Sequence, residues 1–198
     1  TKKDPSWKKG LLASNQVSRF YLEYRNGHIL VDPNLLFSGG WEKEKIEIPK
    51  ILMRRTSDSI IACLDENGYY HTNAIIYGNL VNSNNFQILQ VLTGLLNSRL
   101  FTYYYRAVTS KGGRVYPQVE IDSLEELHMP DLDIMNSEDK LQTNSKIVSL
   151  IENEQEKEAC VEINNATTKT LLEFIISLVI KMESKNKILE SEKTSKLF

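Results

Sequence analysis

Pro49-Lys-Ile-Leu-Met-Arg-Arg-Thr56 is followed by Ile60-Ile-Ala-Cys-Leu64, by Asp65-Glu-Asn-Gly68, and then by Tyr69-Tyr70 and Asn73-Ala-Ile-Ile-Tyr77. Each apolar run is short and bounded by turn formers, which is the signature of strands rather than helices. Asp65 to Gly68 supplies a turn between two of them. The succession predicts an antiparallel meander. The first strand ends in Arg54 and Arg55, whose side chains must leave it on opposite faces. Cys63 sits inside an apolar run and reads as a small core residue.

Upstream, Phe20-Tyr-Leu-Glu-Tyr-Arg-Asn-Gly-His-Ile-Leu-Val-Asp32 places two β-rich runs around Asn26-Gly27, so a hairpin is expected there. Ser38-Gly-Gly-Trp41 reads as loop, with Trp41 folded back on the core or touching a ligand. Downstream, Asn82-Ser-Asn-Asn85 is a helix-start signal. Phe86, Leu89, Leu92, Leu95 and Leu96 recur at spacings of three and four, giving an amphipathic helix to about Asn97. Leu96-Asn97-Ser98 reads as a helix junction. A second helical piece runs from Arg99 to Tyr105, and Tyr103, Tyr104 and Tyr105 spread around it, so at least one is core. Lys111-Gly-Gly-Arg114 is a basic loop, and Val115 to Val119 is extended. The fold class is therefore α+β: an antiparallel sheet with packed helices, followed by a helical C-terminal extension.

The extension differs in character. Lys140 to Glu158 is an acidic helix with apolar positions at Leu141, Ile147, Leu150 and Ile151. In the next helix, from Thr170 to Met182, only Glu173, Ser177 and Lys181 interrupt the apolar residues, and their spacing of four makes one polar stripe. The broad apolar face must be covered, either by the preceding helix or by a second chain. The latter would make a homodimer through 170–182. We divide the chain into a domain at 1–135 and the extension at 136–198.

Charge divides the chain at Pro117. Of 198 residues, 24 are Lys or Arg and 26 are Asp or Glu. Up to Pro117 there are 15 basic and 9 acidic residues; beyond it, 9 and 17. All seven arginines lie in the first part, and no acid occurs from Asn67 to Val119. Such asymmetry points to nucleic acid, because Lys and Arg release counterions condensed on phosphates. A basic face paired with the acidic tail of the same chain is the alternative.

Other chemistry is missing. Two cysteines make no disulfide framework and suit a reducing cytosol, and three scattered histidines show no metal-ligand spacing. There is no apolar run long enough to span a membrane. The opening Thr1-Lys-Lys-Asp-Pro, without an initiator Met, suggests a piece of a longer protein. No nucleophile elbow, phosphate-binding loop or dinucleotide fingerprint occurs. Glu183-Ser-Lys185, the instance of the nuclease E-x-K pattern, falls on a helix and carries little weight. A binding module is favoured over an enzyme.

Taken together, two blocks are more specific. Pro49 to Asn73 is the first. The second is Leu92-Thr-Gly-Leu-Leu-Asn-Ser-Arg-Leu-Phe-Thr-Tyr-Tyr-Tyr-Arg106, followed by Val115-Tyr-Pro-Gln-Val119 and Ile121-Asp-Ser-Leu-Glu-Glu-Leu-His-Met-Pro130. This order resembles the TaqI-like specificity domain, the target-recognition domain C-terminal to adenine-N6 DNA methyltransferase domains, over roughly residues 20–130. The resemblance implies sequence-specific reading of double-stranded DNA beside a methyltransferase domain of the same polypeptide, in a cytoplasmic prokaryotic restriction–modification or methylation system. It implies S-adenosylmethionine for the parent protein and no cofactor in this piece, since the family's Asn-Pro-Pro-Tyr and glycine-rich cofactor motifs are absent. His128-Met-Pro130 departs from the family's Leu-Pro-x-Pro ending. The candidate DNA-contacting residues are Arg54, Arg55, Ser57, Arg99, Arg106, Lys111, Gly112, Gly113, Arg114 and Tyr116. The rival reading is a protein–protein module docking through the apolar C-terminal helix.

Overall fold

Ile51-Leu52-Met53 has no polar residue to turn towards water, and the computed structural model makes it the centre of a sheet. The structure describes residues 6–32, 34, 40–80, 85–109, 118–129, 132, 158 and 168–195. Strand β5 (Lys50–Arg54) runs between β6 (Ala62–Asp65) and β8 (Ile75–Gly78), antiparallel to both, with Leu52 opposite Cys63 on one side and Tyr77 on the other. The first four residues of β5 are buried. A continuous apolar run is suited to such a position, covered on both faces and paired on both edges.

Pairing departs from the expected meander at β7 (Tyr70–His71). That strand leaves its sequence neighbours and lies parallel to β1 (Trp7–Leu11), Gly10 opposite Tyr70 and Leu11 opposite His71. The turn before it directs the chain away. The Asp65 carboxylate accepts from the backbone N–H groups of Asn67 and Tyr69, at 2.9 and 2.8 Å. Gly68 then adopts φ +67°, and a Cβ there would sit 2.8 Å from the Glu47 backbone, so glycine alone fits without displacement.

The Asn26-Gly27 hairpin is also not formed. Asn26 does turn the chain, at φ +55°, but the runs on either side join different sheets. β3 (Tyr21–Leu22) pairs with β2 (Val17–Ser18), while β4 (His28–Leu30) pairs antiparallel with β1. The Gly27 carbonyl accepts from Gly10 N–H at 2.9 Å, which sets β4 on β1. The turn is thus a switch between sheets. The core where these strands meet is Leu11, Val17, Leu52, Cys63 and Ile75, with Leu22, Tyr24, Tyr69 and Tyr77 packed on it. Tyr24 and Tyr69 stack at 4.7 Å between ring centres. Trp41 folds back, donating to the His71 carbonyl at 3.0 Å and meeting Tyr70 edge-on.

One charged pair lies inside. Lys50 Nζ is 2.5 Å from Asp65 Oδ2 and 2.6 Å from the carbonyl of Ile46, which closes the short helix α1 (Lys43–Ile46). Both side chains are fully buried. Burial pulls the Lys50 ammonium below its ordinary value, and the Asp65 carboxylate acts in the opposite sense. Breaking such a pair by removing one partner typically costs about 3–5 kcal/mol, so it binds β5 to β6 in one register.

The helices follow the sequence pattern closely. α2 (Phe86–Asn97) starts where the Asn85 side chain accepts from Gln87 N–H. At its other end, Asn97 exchanges two hydrogen bonds with the backbone of Ala62 and accepts one from Arg19. Ser98 caps α3 (Arg99–Val108) by accepting from Phe101 N–H at 3.1 Å. Phe101 and Tyr105, one turn apart, are the buried face of α3. The Tyr105 hydroxyl donates to the Gln118 carbonyl and accepts from Glu120 N–H, just before α4 (Ile121–Glu125).

The chain divides into two compact units, Thr1–Asn84 with Leu96–His128, and Asn85–Leu95 with Met129–Phe198. In the second, α5 (Thr168–Ser195) buries Leu172, Ile176 and Val179. Gly94 of α2 admits it: a Cβ there would lie 2.6 Å from an Ile175 methyl and 3.0 Å from one of Val179. The helix expected at 140–158, with Leu141, Ile147, Leu150 and Ile151, lies outside the described residues except for Glu158. Among the described residues no helix is long and apolar enough to cross a membrane. Apart from the short α1, the strands precede the helices along the described chain, as suits an α+β fold.

Candidate nucleic-acid interface

An arginine can grip an external anion only if its guanidinium is not already spent inside the fold. Arg54 is spent. Its Nε donates to the Val17 carbonyl and its Nη2 reaches Ser18 Oγ at 3.4 Å, so it ties β5 to β2. Arg19 is spent likewise, on the Asn97 carbonyl and Ser59 Oγ. Arg55, the next residue along from Arg54, serves a different neighbour: Nη1 donates to the Asn73 carbonyl at 3.2 Å, leaving other donors of its fork at a half-exposed position. The adjacent arginines thus part to separate surroundings.

α3 carries two more described arginines. Arg99, Tyr103 and Arg106 stand at i, i+4 and i+7, on one face opposite Phe101 and Tyr105. All three are exposed, Tyr103 to 73%. The first turn of α3 holds no acid. Among the described residues Arg99 has no ion-pair partner. Arg106 has one: Nη2 lies 3.2 Å from Asp58 Oδ2, and Nε donates to the Asp58 carbonyl, also at 3.2 Å. Both partners remain more than half exposed, so water screens this pair and its worth is small.

Asp58 belongs to the loop after β5, which also carries Ser57. There the Ser57 hydroxyl accepts from Ser59 N–H at 3.4 Å. The loop is flanked by the returning chain: Thr56 bridges Gln118, and the Arg55 carbonyl accepts from Val119 N–H at 2.7 Å. The structure therefore gathers Arg55, Ser57 and Arg106 around one loop and sets Arg99 at the far end of α3, about 10 Å away along the helix. Arg54 is turned into the fold. Lys111, Gly112, Gly113, Arg114 and Tyr116 lie outside the described residues. The described ends of that stretch are both held by Tyr105: Thr109 donates to its carbonyl and Gln118 accepts from its hydroxyl.

Asp58 is a feature that sequence reasoning missed. It is 48 residues from Arg106, and no local pattern links them. Tyr103 could have been found from its spacing of four from Arg99. Elsewhere, basic side chains are engaged: Lys8 with Glu47 at 3.2 Å, Arg25 with Glu23 at 2.6 Å, Lys45 with Glu42 at 2.8 Å. Tyr104 meets His128 at 2.6 Å. Among the described residues no group of three His, Cys, Asp or Glu side chains is placed to hold a metal ion.

Comparison with known proteins adds one match. A family model described as TaqI-like C-terminal specificity domain covers residues 9–129, about three fifths of the chain. No curated protein matches.

Proposed function

We propose, because the chain belongs to the TaqI-like C-terminal specificity domain family, that it reads a short sequence in double-stranded DNA. It would do so for a restriction–modification or adenine-N6 DNA methyltransferase protein, beside a methyltransferase domain of the same polypeptide in a prokaryotic cytoplasm. S-adenosylmethionine would be bound by that neighbour and not by this chain. The observation that carries this reading is the family match, which takes in the strands from Lys9 of β1 onward, the α3 face and the loop holding Ser57 and Asp58. Exposed arginines without an acid in the first turn of α3 support it, since phosphate contacts set register and affinity. Arginine is also the side chain best shaped to pair with a guanine edge. A homodimer through the exposed remainder of α5 is a further part of the proposal. The test is selection from a library of randomised duplexes. The reading expects enrichment of one short motif, and recovery of an unbiased library from folded protein would refute it.

A further inference from the structure

Among the described residues Arg106 is the one cation of the α3 face with an ion-pair partner, and its occupant is an anion. The Asp58 carboxylate and the Asp58 carbonyl together take two donors of the guanidinium fork, at 3.2 Å each. Phosphate takes the same fork through two oxygens. The pair is 56% and 71% exposed, so exchange of one anion for another does not require the fold to open. Asp58 is itself anchored, its Oδ1 accepting from Ser59 Oγ at 3.2 Å. It therefore stays beside Arg106 when the guanidinium lets go.

We infer that the exposed face of α3, Arg99 with Tyr103 and Arg106, lies along the phosphate backbone of duplex DNA, and that Asp58 is an anionic placeholder which a phosphate displaces from Arg106. This rests on the DNA-recognition reading above. Charge decides the occupant: Arg99 and Arg106 stand about 10 Å apart on one helix face, with no acid between them in a stretch without acids from Asn67 to Val119. The placeholder has a consequence. In the free protein it holds the guanidinium in place, and in the complex it opposes the phosphate, so it weakens contact with every sequence alike. Specific and backbone-only binding are thereby lowered by the same factor.

The experiment compares the full chain with its Asp58→Asn, Arg106→Ala, double and Glu23→Gln variants, by fluorescence anisotropy on random-sequence duplex DNA across a salt series. Asp58→Asn should bind about threefold tighter, in keeping with the small worth of an exposed pair. It should steepen the plot of log K against log[salt] by up to about one. Arg106→Ala should bind more weakly, and in its background Asp58→Asn should no longer tighten binding by as much. Glu23→Gln breaks the Arg25 pair and changes net charge equally, so it should leave affinity unchanged. Equal tightening by Glu23→Gln, or an Asp58→Asn effect that persists in full without Arg106, would overturn the placeholder. If the wild-type chain binds no duplex at low salt, it is the DNA-recognition reading that fails.

Discussion

His71 shows how a single buried group can set a condition on the fold. Its Nδ1 faces the Thr72 carbonyl at 3.1 Å and must donate to it, which leaves Nε2 as a bare acceptor. Among the described residues that buried Nε2 has no hydrogen-bond partner. A proton there would have no acceptor, and burial pulls the imidazole below its ordinary value, against a smaller rise from the Thr72 carbonyl. The sign follows from linkage. Once the pH falls below about 6.5, the unfolded chain takes a proton that the folded chain refuses. Stability is fully present above that pH. Below it, stability falls by up to about 1.4 kcal/mol per pH unit until the folded form also titrates. Thermal unfolding of wild type and His71→Gln at pH 7.5 and 5.5 checks this. The wild type should lose more stability on acidification than the variant; equal losses would show that His71 does not carry the effect.

At the scale of the element, α5 divides its apolar residues in two. Leu172, Ile176 and Val179 are buried, whereas Leu178, Ile180, Met182, Ile188 and Leu189 are exposed. Of the exposed set, Leu178, Met182 and Leu189 are spaced by four and seven and so fall on one line of the helix. A line of this kind suits a helix partner better than water. We expect light scattering at tens of micromolar to find a dimer that Met182→Glu with Leu189→Glu dissociates while the fold holds. Ile176→Glu should instead lower the melting temperature. A monomeric wild type would contradict the self-association. This division was invisible in the sequence, which shows a broad apolar face but not that Gly94 lets α2 approach Ile175 and Val179. The same limit recurs throughout. β5, α2, the Ser98 cap and α3 could be read because their signals are local: an unbroken apolar run, a three-and-four spacing, a serine before a helix. The partners could not. Asn26-Gly27 does make a turn, but whether the next strand folds back or joins β1 is settled by Gly10, far upstream. Lys50 with Asp65 and Arg106 with Asp58 are likewise long-range pairings. Of the candidate interface, the residue types and the α3 stripe were legible, and the spending of Arg54 inside the fold was not.

For the whole molecule, the asymmetry of charge is the feature that links sequence to function. The first 117 residues carry the basic excess and the acids are concentrated beyond Pro117; the family match over residues 9–129 spans that boundary and holds 12 basic and 12 acidic residues. A net charge of −2 therefore conceals an acid-free stretch from Asn67 to Val119 whose charged residues are all cations, and a local positive field of that kind favours approach of DNA. The central claim is that the first part of the chain holds duplex DNA by its phosphates before any base is read. The direct measurement is the affinity of the full chain for duplex DNA over a salt series. If the candidate cations Arg55, Arg99, Arg106, Lys111 and Arg114 each engage a phosphate, or all but one or two of them do, log K should fall against log[salt] with a slope of roughly −3 to −5, about 0.9 for each phosphate. A slope near zero, or no binding at low salt by folded protein, would contradict the account.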